Sequence, residues 1–213
     1  MSALASRRPA AWLRPLLRHR LAKPLVFGLS LLPFCWLLYG AIFDQLGANP
    51  AEALVRATGD WTLRFLCLVL TVTPLRVISN TPALASFRRM VGLFVYFYVA
   101  MHLLSYSWFD MGFDVTEIGR DIAKRPFILV GFSAFVLLTA LALTSFNRAI
   151  KTLGAKRWQR LHRLVYTVAG LALLHFFWMR AGKNDFAEVL VYALILGSLL
   201  GWRLVNFISK TRR

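Results

Sequence analysis

A chain of 213 residues with 58% hydrophobic and 16% charged side chains is too apolar for an ordinary soluble domain. Its formal charge of +17 would suit a nucleic-acid binder or a protein seated in an anionic membrane, and the placement of the charges decides between them. The two cysteines, Cys35 and Cys67, both fall in apolar stretches, which excludes a disulfide framework and a cysteine-rich zinc or iron–sulfur site.

In chain order, residues 1–24 form a basic segment, and the first apolar span follows over Leu25–Phe43. The Arg7–Arg8 pair hints at a twin-arginine signal, but the apolar run is too long for a cleaved leader and carries Pro33, Trp36 and Tyr39, which favours a retained span. Further spans are predicted over Trp61–Ser79, Phe87–Ser107, Phe127–Ser145, Arg160–Met179 and Phe186–Phe207, ahead of a short basic tail, residues 208–213. Each crosses most or all of ~30 Å of hydrocarbon at ~1.5 Å per residue. The expected fold is all-α, a polytopic bundle of six transmembrane helices filling residues 25–207, with no internal repeat and no linker.

Every carboxylate falls on one side of this arrangement. Asp44, Glu52 and Asp60 are assigned to the first loop, Asp110, Asp114, Glu117 and Asp121 to the third, and Asp185 and Glu188 to the fifth. The opposite side holds Arg14, Arg18, Arg20 and Lys23, then Arg76, Arg88 and Arg89, then Arg148 to Arg163, and finally Arg203, Lys210, Arg212 and Arg213. By the positive-inside rule both termini are cytoplasmic in a bacterial-type inner membrane. The charge is then a topology signal and a contact with anionic lipid, and no nucleic-acid partner is expected.

Four histidines carry most of the functional information. His19 belongs to the basic segment, whereas His102, His162 and His175 fall in the third and fifth spans, where a polar ring is costly and marks a candidate site. Both spans run outward, so His102 and His175 reach matching depth, with His162 some ~20 Å nearer the cytoplasmic surface. Two neutral imidazoles at one depth on parallel helices can ligate one haem iron from opposite sides, and an iron with no open position favours electron transfer. Zinc is the weaker reading, because three histidines at two depths cannot form one tetrahedral site. On one ideal helix, however, the step from His162 to His175 turns them about 140° apart. A π-bulge or kink near Gly170, or haems approached from different angles, would reconcile this.

These residues sit in recognisable strings. Met101 to Tyr106 reads MHLLSY, Leu153–Gly154 is followed by WQRLHRLVY over Trp158 to Tyr166, and Leu174 to Trp178 reads LHFFW. With LLPFCWL at Leu31 to Leu37, they make the chain resemble the ferric-reductase-like transmembrane family along nearly its whole length, most closely its bacterial haem-binding subunits of methionine sulfoxide reductase systems. The wider family, which includes ferric reductases and NADPH oxidases, stacks two haems on histidine pairs. This sequence departs from that pattern, because thirteen residues before His102 stands Arg89, beside Arg88. The inner level therefore has one recognisable ligand, His162, and the resemblance implies haem b, one or two per chain. It also implies FMN, for which the sequence has no glycine-rich phosphate loop. The implied function is to draw electrons from the quinone/quinol pool, or from a cytosolic flavin reductase, and to reduce a periplasmic molybdopterin-containing partner that repairs oxidised methionines. The chain has no water-accessible cysteine for sulfoxide chemistry and no dinucleotide-binding stretch, so it is expected to conduct electrons to that partner and to lack reductase activity alone.

Other polar residues within the spans have two readings each. Arg64 either snorkels to the headgroups or meets an outer haem propionate, and Arg88 and Arg89 either mark the interface or hold a flavin phosphate or haem carboxylates. Pro74 kinks or ends the second span. The aromatic cluster of Phe94, Tyr96, Phe97, Tyr98, Phe176, Phe177 and Trp178 suits either a porphyrin pocket or lipid packing. Two other functions compete. A proton-relaying transporter is disfavoured by the lack of a carboxylate deep in any span, and a free-standing metal reductase by the missing nicotinamide domain.

Overall fold

A computed structural model describes residues 13–182 and 184–211, so the basic residues Arg7, Arg8, Arg212 and Arg213 lie outside it. Among the described residues every regular element is helical. A short α1 (Leu13–Arg18) leads into α2 (Ala22–Ile42), and α3 (Pro50–Ile78) is followed by a 3-10 turn at Pro82–Ser86. Then come α4 (Arg88–Ser105), prolonged by a π-helical turn over Tyr106–Asp110, and α5 (Val115–Lys124). The second half consists of α6 (Pro126–Leu143), α7 (Asn147–Leu153), α8 (Ala155–His162), α9 (Val165–Ala181) and α10 (Ala187–Thr211). Six segments are long and apolar enough to cross a membrane: α2, α3, Pro82–Asp110, α6, Ala155–Ala181 and Ala187–Ser209.

The helices α3, α4, α6 and α9 pack in sequence around the interior, α10 closes the ring against α9 and α3, and α2 lies outside against α3 and α4. Within lipid no hydrophobic force drives helices together, so packing and polar satisfaction must hold them. The core is a layer of Phe65, Leu66, Leu70, Val91, Phe94, Val95, Tyr98, Ala134, Leu138, Val168 and Leu196. Hydroxyls in the spans are consumed within their own helices, as where Thr62 donates to Thr58 O and Thr139 to Phe135 O.

The longest-range polar contacts fall beside two prolines. Pro74 has no N–H for the carbonyl of Leu70, and Arg203 of α10 donates to that oxygen while its other amine bonds Leu199 O at 2.8 Å. The helix therefore runs on through Pro74 to Ile78 and does not end there. In α2, one residue past Pro33, the hydroxyl of Tyr98 stands between the groups that would otherwise pair. It accepts from Phe34 N at 3.1 Å and donates to Ser30 O at 2.8 Å, which stitches α2 to α4 through a fully buried ring.

The structure adds to or departs from the sequence reading at three places. First, α3 begins at Pro50, because Asn49 caps it by accepting from Glu52 N at 3.1 Å. Glu52 and Asp60 are thus helical and not loop residues, and Asp60 stands well inside a membrane helix, which removes the argument that no carboxylate does so. Second, the third loop contains α5, capped by Asp114 on Thr116 N and Glu117 N. Third, the break that separates the faces of His162 and His175 falls at Arg163–Leu164, between α8 and α9, while α9 runs unbroken through Gly170.

Candidate functional site

The bundle has an acidic end, where α2, α4 and α9 finish and α3, α6 and α10 begin, and a basic end opposite. A cavity opens at each. The acidic-end cavity, about 500 Å³, is lined on facing sides by His102 of α4 and His175 of α9, with Val55, Gly59, Asp60, Leu66, Phe127, Gly131 and Phe176 among its walls. That volume falls in the range of cofactor sites.

The structure brings His102 and His175 together, with ring centroids 6.3 Å apart and ring planes crossed at 76°. Each ring is held by the backbone of a neighbouring helix: His102 Nδ1 meets Val55 O at 2.8 Å, and His175 Nδ1 meets Phe127 O at 2.6 Å. A carbonyl can only accept, so each Nδ1 carries the proton and each Nε2 keeps the lone pair, the tautomer that a metal ligand requires. A bond of about 2 Å to a shared metal, plus roughly 1.2 Å from nitrogen to ring centre, gives a centroid separation of about 6.4 Å for two imidazoles that turn Nε2 to one metal, close to the 6.3 Å found. The donor set therefore fits one haem iron between the two rings. Among the described residues no group of three or more His, Cys, Asp and Glu side chains converges on a point, so a metal site built from protein ligands alone has no support.

Around the mouth of this cavity stand Glu52, Arg56, Asp110, Tyr106 and Arg125, none of which the sequence reading proposed for the site. Arg56 pairs with Glu52 along α3. Tyr106 donates to Asp121 at 2.5 Å, and Arg125 grips the same carboxylate with Nε at 2.6 Å and a second amine. This triad fastens α5 over the cavity, with Ile122 turned inward. The Arg125 guanidinium beside Asp121 holds its carboxyl below the usual carboxylate range. Because the folded value is depressed, the contribution is complete above the ordinary Asp value of about 3.9 and is lost as pH falls through the lowered one. Amide-exchange protection over residues 115–124, taken relative to the unstructured-chain rate at each pH, is accordingly expected to hold at neutral pH and to fall only below that range, whereas Asp121→Asn should lower it at neutral pH. Equal exchange in both proteins at pH 7 would count against the tether.

Arg64 does not line this cavity. Its guanidinium lies 4.6 Å over the Trp61 ring, apart from the residues that line the cavity. Of the aromatic cluster, Phe176 lines the cavity, Phe94 and Tyr98 are core, and Phe177 and Trp178 are exposed.

The second cavity, about 380 Å³, lies at the basic end and holds His162, Arg88 and Arg89 together. His162 stacks on Trp158 with centroids 4.0 Å apart, and its Nε2 lies 3.2 Å from Thr144 Oγ1. Arg89 donates to Asn147 at 2.8 Å and Arg88 to Thr73 at 3.4 Å. Arg76, Arg163 and Arg203 complete a lining with five guanidiniums and no carboxylate. Sequence reasoning had placed these three only as interface charges. Leu66 and Leu138 line both cavities and form the partition between them.

A six-helix bundle with paired histidines of this kind defines a ferric-reductase-like transmembrane protein. The family model described as "Ferric reductase like transmembrane component" matches residues 58–173, from α3 into α9. The chain is 73% identical to the "Protein-methionine-sulfoxide reductase heme-binding subunit MsrQ" of Polaromonas naphthalenivorans (strain CJ2), covering 96% of this chain and 94% of that one. Proteins of the same name from Herminiimonas arsenicoxydans and Rhodospirillum rubrum are 53% and 47% identical, over 84% and 92% of this chain and 83% and 93% of theirs. The chain belongs to the ferric-reductase-like transmembrane family, within its MsrQ group, and is a multi-pass membrane protein. No solved structure matches it.

Proposed function

We propose that this chain is the haem-binding electron-transfer subunit of a methionine sulfoxide reductase system in a bacterial inner membrane. Both termini are cytoplasmic in this reading and the acidic end is periplasmic, supported by the segregation of the carboxylates. The observation that carries it is the His102–His175 pair, with both Nδ1 atoms committed to backbone carbonyls and both Nε2 atoms free to ligate. Haem b bound there supplies reversible one-electron chemistry. Arg56 and Arg125, which line this cavity, would offer guanidiniums to its propionates, a role the lining supports for them more than for Arg64. The five arginines of the second cavity offer carboxylate- or phosphate-binding forks beside His162, which suits either a second haem or the phosphate of FMN. Electrons enter there from quinol or from a flavin reductase, and leave at the acidic end to a periplasmic molybdopterin-containing catalytic subunit. The names of the relatives, subunits of a reductase, support such a partner.

The visible spectrum of the detergent-purified chain, before and after dithionite, tests the reading. A strong Soret band that shifts on reduction and sharp bands of six-coordinate haem are expected. A colourless preparation from haem-replete cells would refute it.

A further inference from the structure

The two imidazoles are held by one device used twice. His102 bonds the carbonyl of Val55 on α3, and four residues on, one helical turn further, stands Gly59. His175 bonds the carbonyl of Phe127 on α6, and four residues on stands Gly131. A helical carbonyl already accepts from the N–H four residues later, and its second lone pair is normally screened by the side chain carried there. Glycine at that place uncovers the lone pair and gives the ring its room.

A Cβ built at each glycine shows how closely the ring approaches. At Gly131 it would lie 2.8 Å from His175 Nδ1, 2.9 Å from Cε1 and 3.1 Å from Cγ, which no real side chain tolerates. The ring cannot retreat without lengthening its 2.6 Å bond to Phe127 O. At Gly59 the nearest atoms would be His102 Cε1 at 3.2 Å and Nδ1 at 3.3 Å, a crowding relieved by a few tenths of an ångström. By contrast Gly170, also within a span, meets nothing within 4 Å.

We infer that Gly59 and Gly131 are positioning residues for the haem ligands: each exposes a backbone acceptor that fixes the tautomer and plane of one imidazole, Gly131 by the tighter fit. The inference rests on the ligand reading given above. It assigns to the glycines the 76° crossing of the rings, and with it the ligand field at the iron. Ferric iron between crossed imidazole planes gives a strongly anisotropic low-spin EPR signal, and turning one ring toward the plane of the other reduces that anisotropy.

The test compares wild type, Gly59→Ala, Gly131→Ala and Gly170→Ala, each as the monodisperse full-length protein in detergent. Haem per polypeptide and the EPR spectrum of the ferric form are read for each. Gly131→Ala should lower haem retention by roughly tenfold, the order expected for losing a ligand's supporting contact. Gly59→Ala should keep most of its haem with displaced g-values, and Gly170→Ala should match wild type. The milder Gly59→Ala keeps the test decisive even if Gly131→Ala does not accumulate. Wild-type g-values in Gly59→Ala, or equal damage from Gly170→Ala, would overturn the positioning role while leaving the ligand pair intact. A wild-type protein without haem would overturn both.

Discussion

His102→Ala and His175→Ala are each expected to strip the acidic-end cavity of haem or leave a five-coordinate, spectrally altered remnant, while His162→Ala spares it. The rings of His102 and His175 are 6.3 Å apart in one cavity, so in the proposed reading either loss would leave the haem iron with a single imidazole. Removing a supporting contact alone typically costs about 10–100-fold in metal affinity, and removing the ligand itself costs at least as much. His162 lies in the other cavity, beyond Leu66 and Leu138, in contact with Trp158 and Thr144. Its replacement should act on electron entry from the basic end. The measurement is haem content and the reduced spectrum of the three variants at matched protein. Complete haem loss in His162→Ala with retention in His102→Ala would require the ligand pair to be reassigned.

The second large effect is all or none. Supplied with a quinol analogue, the purified chain should reduce methionine sulfoxide no faster than a protein-free control, and turnover should appear when a periplasmic catalytic subunit is added. Sulfoxide reduction by a protein thiol needs an accessible thiolate. Cys67 is buried in the core, and Cys35 lies on the exposed face of α2 at mid-helix, where lipid surrounds it. Neither is among the residues that line the two cavities described above. Turnover by the chain alone would show that sulfoxide chemistry resides here after all.

The apolar segments were legible within a few residues wherever hydropathy alone sets a boundary, as at α2 and α6. The start of α3 was misplaced, and α5 went unseen, because capping sets where they begin. Asn49 with Glu52 three residues on, and Asp114 with Glu117 three residues on, are capping signals readable in the sequence, and either would have revealed the helix that follows. Misplacing α3 hid Gly59 and Asp60 in an apparent loop and so concealed the stretch of cavity wall that runs from Asn49 to Asp60. The common depth of His102 and His175 was readable from helical rise, because that counts residues along single helices. The proximity of Arg203 to Leu70 was not, since it depends on which helix neighbours which. The same holds for Arg64, whose position in the chain gave no sign that its guanidinium would settle on Trp61.

The leucine partition has an electrical meaning. Leu66 and Leu138 are almost completely buried and pack with Val95, Ala134 and Val168, so the partition between the two cavities is built of apolar side chains. An electron can tunnel across such a partition where an ion cannot. In the proposed orientation it would travel from the negative to the positive side of an energised membrane, gaining up to about 2.3 kcal/mol per 100 mV if it crossed the whole field. The voltage across the bilayer would then pull reducing power outward, and the repair of oxidised protein beyond the membrane would be fastest in a cell whose membrane is charged.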